Sequence, residues 1–299
     1  MNLFKTIEKA ISSFADFMWS APFLTLGTVE IPFLLFLLLG GGVFFSIYSR
    51  FVPFKYFSHG VKILMGKYND PNDPGEITHF QALTSALAST VGLGNISGVA
   101  IAIQMGGPGA LFWMWVSALL GMSTKFFSCT LSILYRGKDD QGQIQGGPMY
   151  YIENGLGKRF KPLSILFSLA GLIGCTVMFQ SNQLADIIRD QVFLPNNMFV
   201  ENALIGDFLQ GLIMATLTGI VIFGGIQRIG QVASYLVPIM VILYLLSGLL
   251  VILNHITEIP SLFALIVNDA FTGDAVMGGA VGAVIIAGVR RALFSNEAV

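Results

Sequence analysis

Apolar residues run in blocks of membrane-spanning length along most of this chain, and polar residues collect between the blocks. A helix needs about 20 mostly apolar residues to cross a bilayer. Six stretches meet or approach that length: 31–48, 80–104, 110 to about 135, 163 to just before Asp186, 208–223 and 232–253. A seventh opens near Ala275 and runs through Arg290 and Arg291 toward the C-terminus. Pro238 predicts a kink in the sixth. Ahead of the first block, residues 7–19 read either as a short amphipathic helix on the membrane surface or as a weakly ordered tail. They do not make a normal signal peptide, because Glu8 and Asp16 interrupt the start and no clean cleavage site follows.

The charges between the blocks give an orientation. With the first block starting outside, the inner loops are 49–79, 136–162, 224–231 and the stretch after Ala287. They hold Arg50, Lys55, Lys62, Lys67, Arg136, Lys138, Lys158, Arg159, Lys161, Arg228, Arg290 and Arg291. The opposite side holds only Lys5, Lys9 and Arg189 as cations, with the acids Asp186, Asp190, Glu201, Asp207, Glu258, Asp269 and Asp274. An excess of Lys and Arg marks the cytoplasmic face, so the N-terminus is expected outside. Lys125 falls inside the third block, where it either snorkels to the inner surface or belongs to a gate or pathway pair.

Composition agrees with the block pattern. Of 299 residues, 54% are hydrophobic and 11% charged, against about 25% charged in soluble domains. The mean hydropathy is +0.74. The expected class is an all-α polytopic membrane protein whose partner is the lipid bilayer. A formal net charge of -1 gives no reason to expect a nucleic-acid partner. Cys129 and Cys175 read as small buried hydrophobes. His59, His79 and His255 lie far apart, and no Cys/His cluster has metal-ligand spacing. No block carries a His/Asp/Glu constellation for acid–base or metal chemistry, which argues against an enzyme.

The segment that carries candidate chemistry is 86–102, ALASTVGLGNISGVAIA. Glycines at 92, 94 and 98 weaken a helix. One reading is an interrupted membrane helix whose freed main-chain groups face a cavity, as irregular backbone at membrane depth requires. Freed carbonyls at Ala88, Thr90 and Val91 then suit a hard cation such as sodium, and Thr90 and Asn95 add side-chain oxygens. Freed amides over Gly92, Leu93, Gly94 and Asn95 suit a carboxylate, aided by the positive end of the following half-helix. The competing reading is helix packing, since Gly94 and Gly98 make a G-x-x-x-G pair. The Gly-x-Gly-Asn run is not a dinucleotide fingerprint, because no βαβ context surrounds it.

Other punctuation is plain. Gly106-Gly107-Pro108-Gly109 predicts a tight turn between the second and third blocks, with Trp113 and Trp115 just inside it as interfacial aromatics. Gly146-Gly147-Pro148 predicts a shaped turn leading into a short interfacial helix over 149–156. Gln180, Ser181, Asn182 and Gln183 fall in the outer half of the fourth block. Amides there need partners, and Gln180 or Asn182 faces either a bound zwitterion or a neighbouring helix. Gly278, Gly279 and Gly282 open the seventh block much as the glycines of 86–102 do.

These stretches resemble the sodium:alanine (glycine) symporter family. The resemblance rests on 90–100 (TVGLGNISGVA), 106–115 (GGPGALFWMW), 125–136, 146–157 (GGPMYYIENGLG), 224–229 (GGIQRI) and 291–298 (RALFSNEA), so it covers nearly the whole chain in order. It implies sodium-coupled import of small neutral amino acids, chiefly alanine and glycine, through a bacterial inner membrane, with sodium as coupling ion and no cofactor. It also implies the first half of a leucine-transporter-like five-plus-five inverted repeat preceded by one extra helix. On that mapping 1–30 is an external segment, 31–49 the extra helix, 80–255 the first repeat, and 256–299 an outer loop and the start of the second repeat. Thr90, Gly92, Leu93, Gly94, Asn95, Gln180 and Asn182 would hold substrate, and the Ala88 and Val91 carbonyls sodium. The family's members are longer, so the resemblance implies that the chain is cut short after the first repeat, and it implies a monomer in the full-length form. The alternatives are a non-transporting remnant of such a symporter and, with less support, a passive channel, which would want polar rings along a span.

Overall fold

The computed structural model describes residues 2–20, 22–26, 29–68, 75–138, 142, 144–174, 178–200, 202–272 and 281–296. Helix α1 spans Asn2–Ser20, and β1 (Pro22–Leu26) pairs antiparallel with β2 (Val29–Pro32). Then come α2 (Phe33–Tyr48), the short α3 (Val52–Lys55) and α4 (Phe57–Leu64), α5 (His79–Thr90), α6 (Leu93–Gly106) and α7 (Gly109–Leu134). A two-residue ribbon of β3 (Gly137–Lys138) and β4 (Ile144–Gln145) precedes α8 (Pro148–Leu156). The rest is α9 (Lys161–Gly174), α10 (Met178–Ile188), α11 (Ala203–Ile222), α12 (Gly225–Asn254), α13 (Ile259–Thr272) and α14 (Val281–Asn296).

Among the described residues, four stretches are long and apolar enough to cross a membrane: α5 with α6 over His79–Gly106, α7, α11 and α12. The protein is therefore a multi-span α-helical membrane protein. The 30 residues of α12 make a rod of about 45 Å at 1.5 Å per residue, longer than a bilayer core of about 30 Å. It runs through Pro238 as one helix. The fourth apolar block holds α9 and α10, and residues 175–177 between them, Cys175 included, lie outside the described residues. Gly278 and Gly279 also lie outside them, as do Glu201 and Asp274.

One region differs from the sequence reading. Residues 259–272, expected as outer loop, form α13. Its apolar run is too short to register as a span, yet long enough for a helix that packs on other helices. Arg290 and Arg291, through which the seventh block was expected to run, are helical positions of α14. The Arg290 guanidinium carbon lies over the Trp19 ring, 5.2 Å from its centroid.

The chain forms two compact bodies. The first comprises Met1–Lys55, Gly98–Ser128 and His255–Val299. In it α2 lies against α7. A side chain at Gly42 would collide with Leu120, and the Ser46 and Ser123 hydroxyls hydrogen-bond at 2.9 Å between the two helices. A buried cluster of Ala102, Ala110, Met114, Val284 and Ala292 joins α6, α7 and α14. These are mostly small residues, which let membrane helices approach closely.

The second body comprises Tyr56–Ser97 and Cys129–Asn254. Here α5 begins with a reciprocal cap: Gln81 N donates to Thr78 Oγ1 at 3.3 Å, and Thr78 N to Gln81 Oε1 at 2.9 Å. Two first-turn donors of α5 are thereby satisfied. Helix α12 packs on α5, with Gly230 against Ile77 and Gln81. Gly147, at φ 127°, lets the chain turn into α8 with Pro148 at its first position. Ser164 of α9 donates to the Met149 carbonyl at 2.9 Å. Burial, and then the neighbouring Cys129, push the Tyr151 hydroxyl above its ordinary pKa.

One residue of this body stands out energetically. Gln210 of α11 is buried, and neither atom of its amide has a partner among the described residues. A buried polar group without a partner costs about 1–3 kcal/mol. Gln210→Leu is accordingly expected to raise the detergent melting temperature, with a gain of about 1 kcal/mol; a lower melting temperature would contradict the assignment.

Candidate ion and substrate site

The segment 86–102 is interrupted. Helix α5 ends at Thr90, Val91 leaves helical geometry at φ -97°, ψ 48°, and α6 begins at Leu93. An α-helix needs ψ near -42°, so Val91 turns its peptide out of the ladder. Val91 N still reaches the Leu87 carbonyl at 2.8 Å. Beyond that the register slips: Asn95 N and Ile96 N both bond Gly92 O at 3.0 Å. Asn95 N would serve the Val91 carbonyl in a continuous helix. Among the described residues, the Val91 carbonyl is therefore left without that donor, and Gly92 N makes no return to the Ala88 carbonyl.

Asn95 is buried and spans the interruption. Its Nδ2 donates to Thr90 O at 2.5 Å and to Ser89 O at 3.1 Å. Both amide protons are committed to the end of α5, so Oδ1 is the side chain's remaining acceptor. Thr90 Oγ1 donates to Ala86 O at 2.9 Å and keeps lone pairs for a further contact. The α-carbon of Gly92 faces main-chain oxygen. A β-carbon there would lie 3.3 Å from Ser89 O and 4.0 Å from Ala88 O. Main-chain and hydroxyl oxygens of this kind suit a hard monovalent cation, and no acidic cluster is needed for one.

The structure therefore gathers Ala88, Thr90, Val91, Gly92 and Asn95 at one break, with the backbone of Leu93 and Gly94 opening α6. The side-chain surroundings of Leu93 and Gly94 lie outside the described residues. Gln180 and Asn182 stand elsewhere in the same body, on α10. Gln180 is half-buried, and Asn182 is exposed, its Nδ2 donating to Asp186 Oδ2 at 3.1 Å. Among the described residues no hydrogen bond links either of them to the break. Just past the end of α10, Arg189 forks onto Asp207, Nε to Oδ1 at 3.1 Å and Nη2 to Oδ2 at 2.6 Å. The hydrogen bonds that Arg189 donates to Asp207, and then the carboxylate's charge, raise the Arg189 pKa above its ordinary value.

The family model described as the sodium:alanine symporter family matches residues 6–299. The chain belongs to the sodium:alanine symporter family. Relatives agree. An uncharacterized transporter of Haemophilus influenzae is 39% identical over 300 residues, which is 98% of this chain and 60% of the relative. The sodium/alanine symporter AgcS of Methanococcus maripaludis is 39% identical over 272 residues, 89% of this chain and 58% of its own. The probable sodium/glutamine symporter GlnT of Bacillus subtilis is 36% identical over 293 residues, 98% of this chain and 56% of its own. The chain thus spans about three fifths of the length of the curated relatives it matches. The family is one of transporters, not enzymes, and its description names sodium as the coupled ion.

Sequence reading missed two features here. The capping role of Asn95 depends on a geometry six residues wide that spacing alone does not reveal. The Thr78–Gln81 cap that starts α5 was readable, because Thr-x-x-Gln before an apolar run is a helix-start signature.

Proposed function

We propose that the protein serves sodium-coupled import of small neutral amino acids, alanine or glycine, across a bacterial inner membrane. The observation that carries this reading is the Val91–Gly92 interruption, where main-chain groups leave the helical ladder inside a membrane-spanning stretch. Sodium binds to the Ala88 and Val91 carbonyls, with Thr90 Oγ1 beside them. The substrate carboxylate takes the amides at the start of α6, over Gly92, Leu93 and Gly94, where the helix dipole favours negative charge; the Asn95 amide, expected among them, is instead bonded to Gly92 O. Asn95 Oδ1 is left to meet the substrate ammonium. Gln180 and Asn182 enter as substrate-side residues only through rearrangement of α10, since Asn182 is engaged with Asp186 in this conformation.

The proposal extends to the leucine-transporter-like architecture, in which the α5–α6 pair is the first broken helix of an inverted repeat, to an outside N-terminus and to a monomer. Inward movement of one sodium ion draws about 2.3 kcal/mol per 100 mV from the membrane potential. That supports an amino-acid gradient on the order of tens-fold. Glycines at the break leave room for a small substrate backbone, which favours small side chains. The name of the GlnT relative refers to glutamine, so substrate choice must be measured directly.

The test is uptake of labelled alanine by cells of the native host, with the gene intact and deleted. Uptake that needs an inward sodium gradient, fails with potassium, and disappears on deletion is the expected result. Equal sodium-driven uptake of alanine and glycine in the deleted strain would contradict the proposal.

A further inference from the structure

The end of α13 is fastened to the start of α7 by contacts that the ion and substrate site does not use. Asp269, 7% exposed, accepts at Oδ2 from Gly109 N at 2.7 Å. The fully buried Ala270 next to it accepts the Trp113 indole N–H on its carbonyl at 3.1 Å. Phe271 meets Phe112 and Trp113 edge-on, with ring centroids 5.1 and 5.9 Å apart. Further back along α13, Phe263 lies 5.8 Å from Trp115. These pairs run in opposite chain directions, so α13 lies antiparallel beside the first two turns of α7. Helix α14 closes on the same place, Gly106 against Ala287 and Gly288 against Ala110 and Trp113.

The chemistry makes this contact costly to open. The first N–H groups of a helix have no partner within it. A carboxylate there satisfies one of them and sits at the positive end of the dipole. Hydrogen bonds to an ionised acceptor are the stronger kind, and separating the pair would strand a carboxylate and an amide away from water.

We propose that Asp269 is a positioning residue of the transport cycle. It locks α13 to the α6–α7 turn, so that α6 from Gly98 onward, the first turns of α7, α13 and the packed part of α14 move as one body. The proposal rests on the transport reading above. Its contact can nevertheless be tested whether or not transport is observed.

Cysteines replace Phe112 and Phe271, or Trp115 and Phe263 in a second pair, in a chain with Cys129 and Cys175 changed to serine. A short bismaleimide then bridges each pair in native membranes. The bridging yield is expected to be the same with and without sodium and alanine. Asp269→Asn, which keeps an acceptor oxygen, should leave the yield unchanged, and Asp269→Ala should lower it several-fold. In uptake, Asp269→Ala should cut the maximal rate by about tenfold at unchanged half-saturating sodium, Asp269→Asn should restore it, and a bridged pair should transport normally. A yield that falls when sodium and alanine are added, a bridge that arrests uptake, or an unaltered yield in Asp269→Ala would each overturn the proposal. Absence of sodium-driven uptake in unmodified cells would count against the transport reading alone, because the yields report the contact directly.

Discussion

Gly92→Val is expected to lower sodium-driven alanine uptake by about 100-fold, equivalent to about 2.8 kcal/mol of binding, with the protein still present in the membrane. A β-carbon at this position already lies 3.3 Å from Ser89 O, and valine adds two methyl groups beside it. They would occupy the space through which the Ala88 and Ser89 carbonyls are reached, and they would stiffen the backbone at the slip in register. Gly92→Ala should fall between, since the Ser89 carbonyl has to give by only a few tenths of an ångström. Uptake is measured against the amount of protein in the membrane by immunoblot. Valine at 92 with full uptake at equal abundance would remove the break from the ion pathway.

Gly109→Ala is expected to cost about 3 kcal/mol of stability, at the upper end for an overpacked position. The added β-carbon would land on the backbone of Asp269 and Ala270, which cannot rotate away as a side chain would. The same glycine supplies the N–H that Asp269 accepts, so forcing the helices apart also breaks that bond. The expected readout is a large drop in detergent melting temperature together with loss of the monodisperse peak on size exclusion. Gly248→Ala, in α12 with nothing within 4 Å of its β-carbon, is the control. It should hold or gain up to about 1 kcal/mol, because alanine is the better helix former. Equal melting temperatures for the two variants would show that the contact at Gly109 is not tight.

The parts of the fold that the sequence discloses are those governed by local physics. Long apolar runs disclose α7, α11, α12 and the α5–α6 stretch, because nothing but lipid accounts for such runs. The Gly-Gly-Pro turn discloses α8, since Pro148 starts a helix and Gly147 supplies the turn. The interruption itself was one of two open readings, and the β-branched Val91 between a helix end and Gly92 is where it falls. The pairing of β1 with β2 went unread, although Leu24 and Leu26 in one strand and Val29 and Ile31 in the other give a weak alternation.

What remained hidden is set by distance along the chain. The Asp269–Gly109 bond joins residues 160 positions apart, and Asp269 reads locally as one more outer acid. Arg290 reads locally as a charge at the end of the seventh block, and nothing near it in sequence discloses its place over the Trp19 ring. In the site, Ala88, Thr90, Val91, Gly92 and Asn95 come together because they are neighbours in sequence. Gln180 and Asn182, whose link to the break comes through family resemblance, have no hydrogen bond to it in this conformation.

The central claim is that the Val91 carbonyl, released from the helical ladder, is a sodium ligand. Valine–glycine bonds occur only at 91–92 and 281–282, so changing Val281 to isoleucine leaves a single such peptide. Carbonyl-13C valine combined with 15N glycine then reports that one carbonyl by solid-state NMR in lipid. A shift of its resonance on exchanging potassium for sodium, saturable and lost in Gly92→Val, is the predicted result. A resonance that is indifferent to sodium while uptake remains sodium-driven would contradict the account.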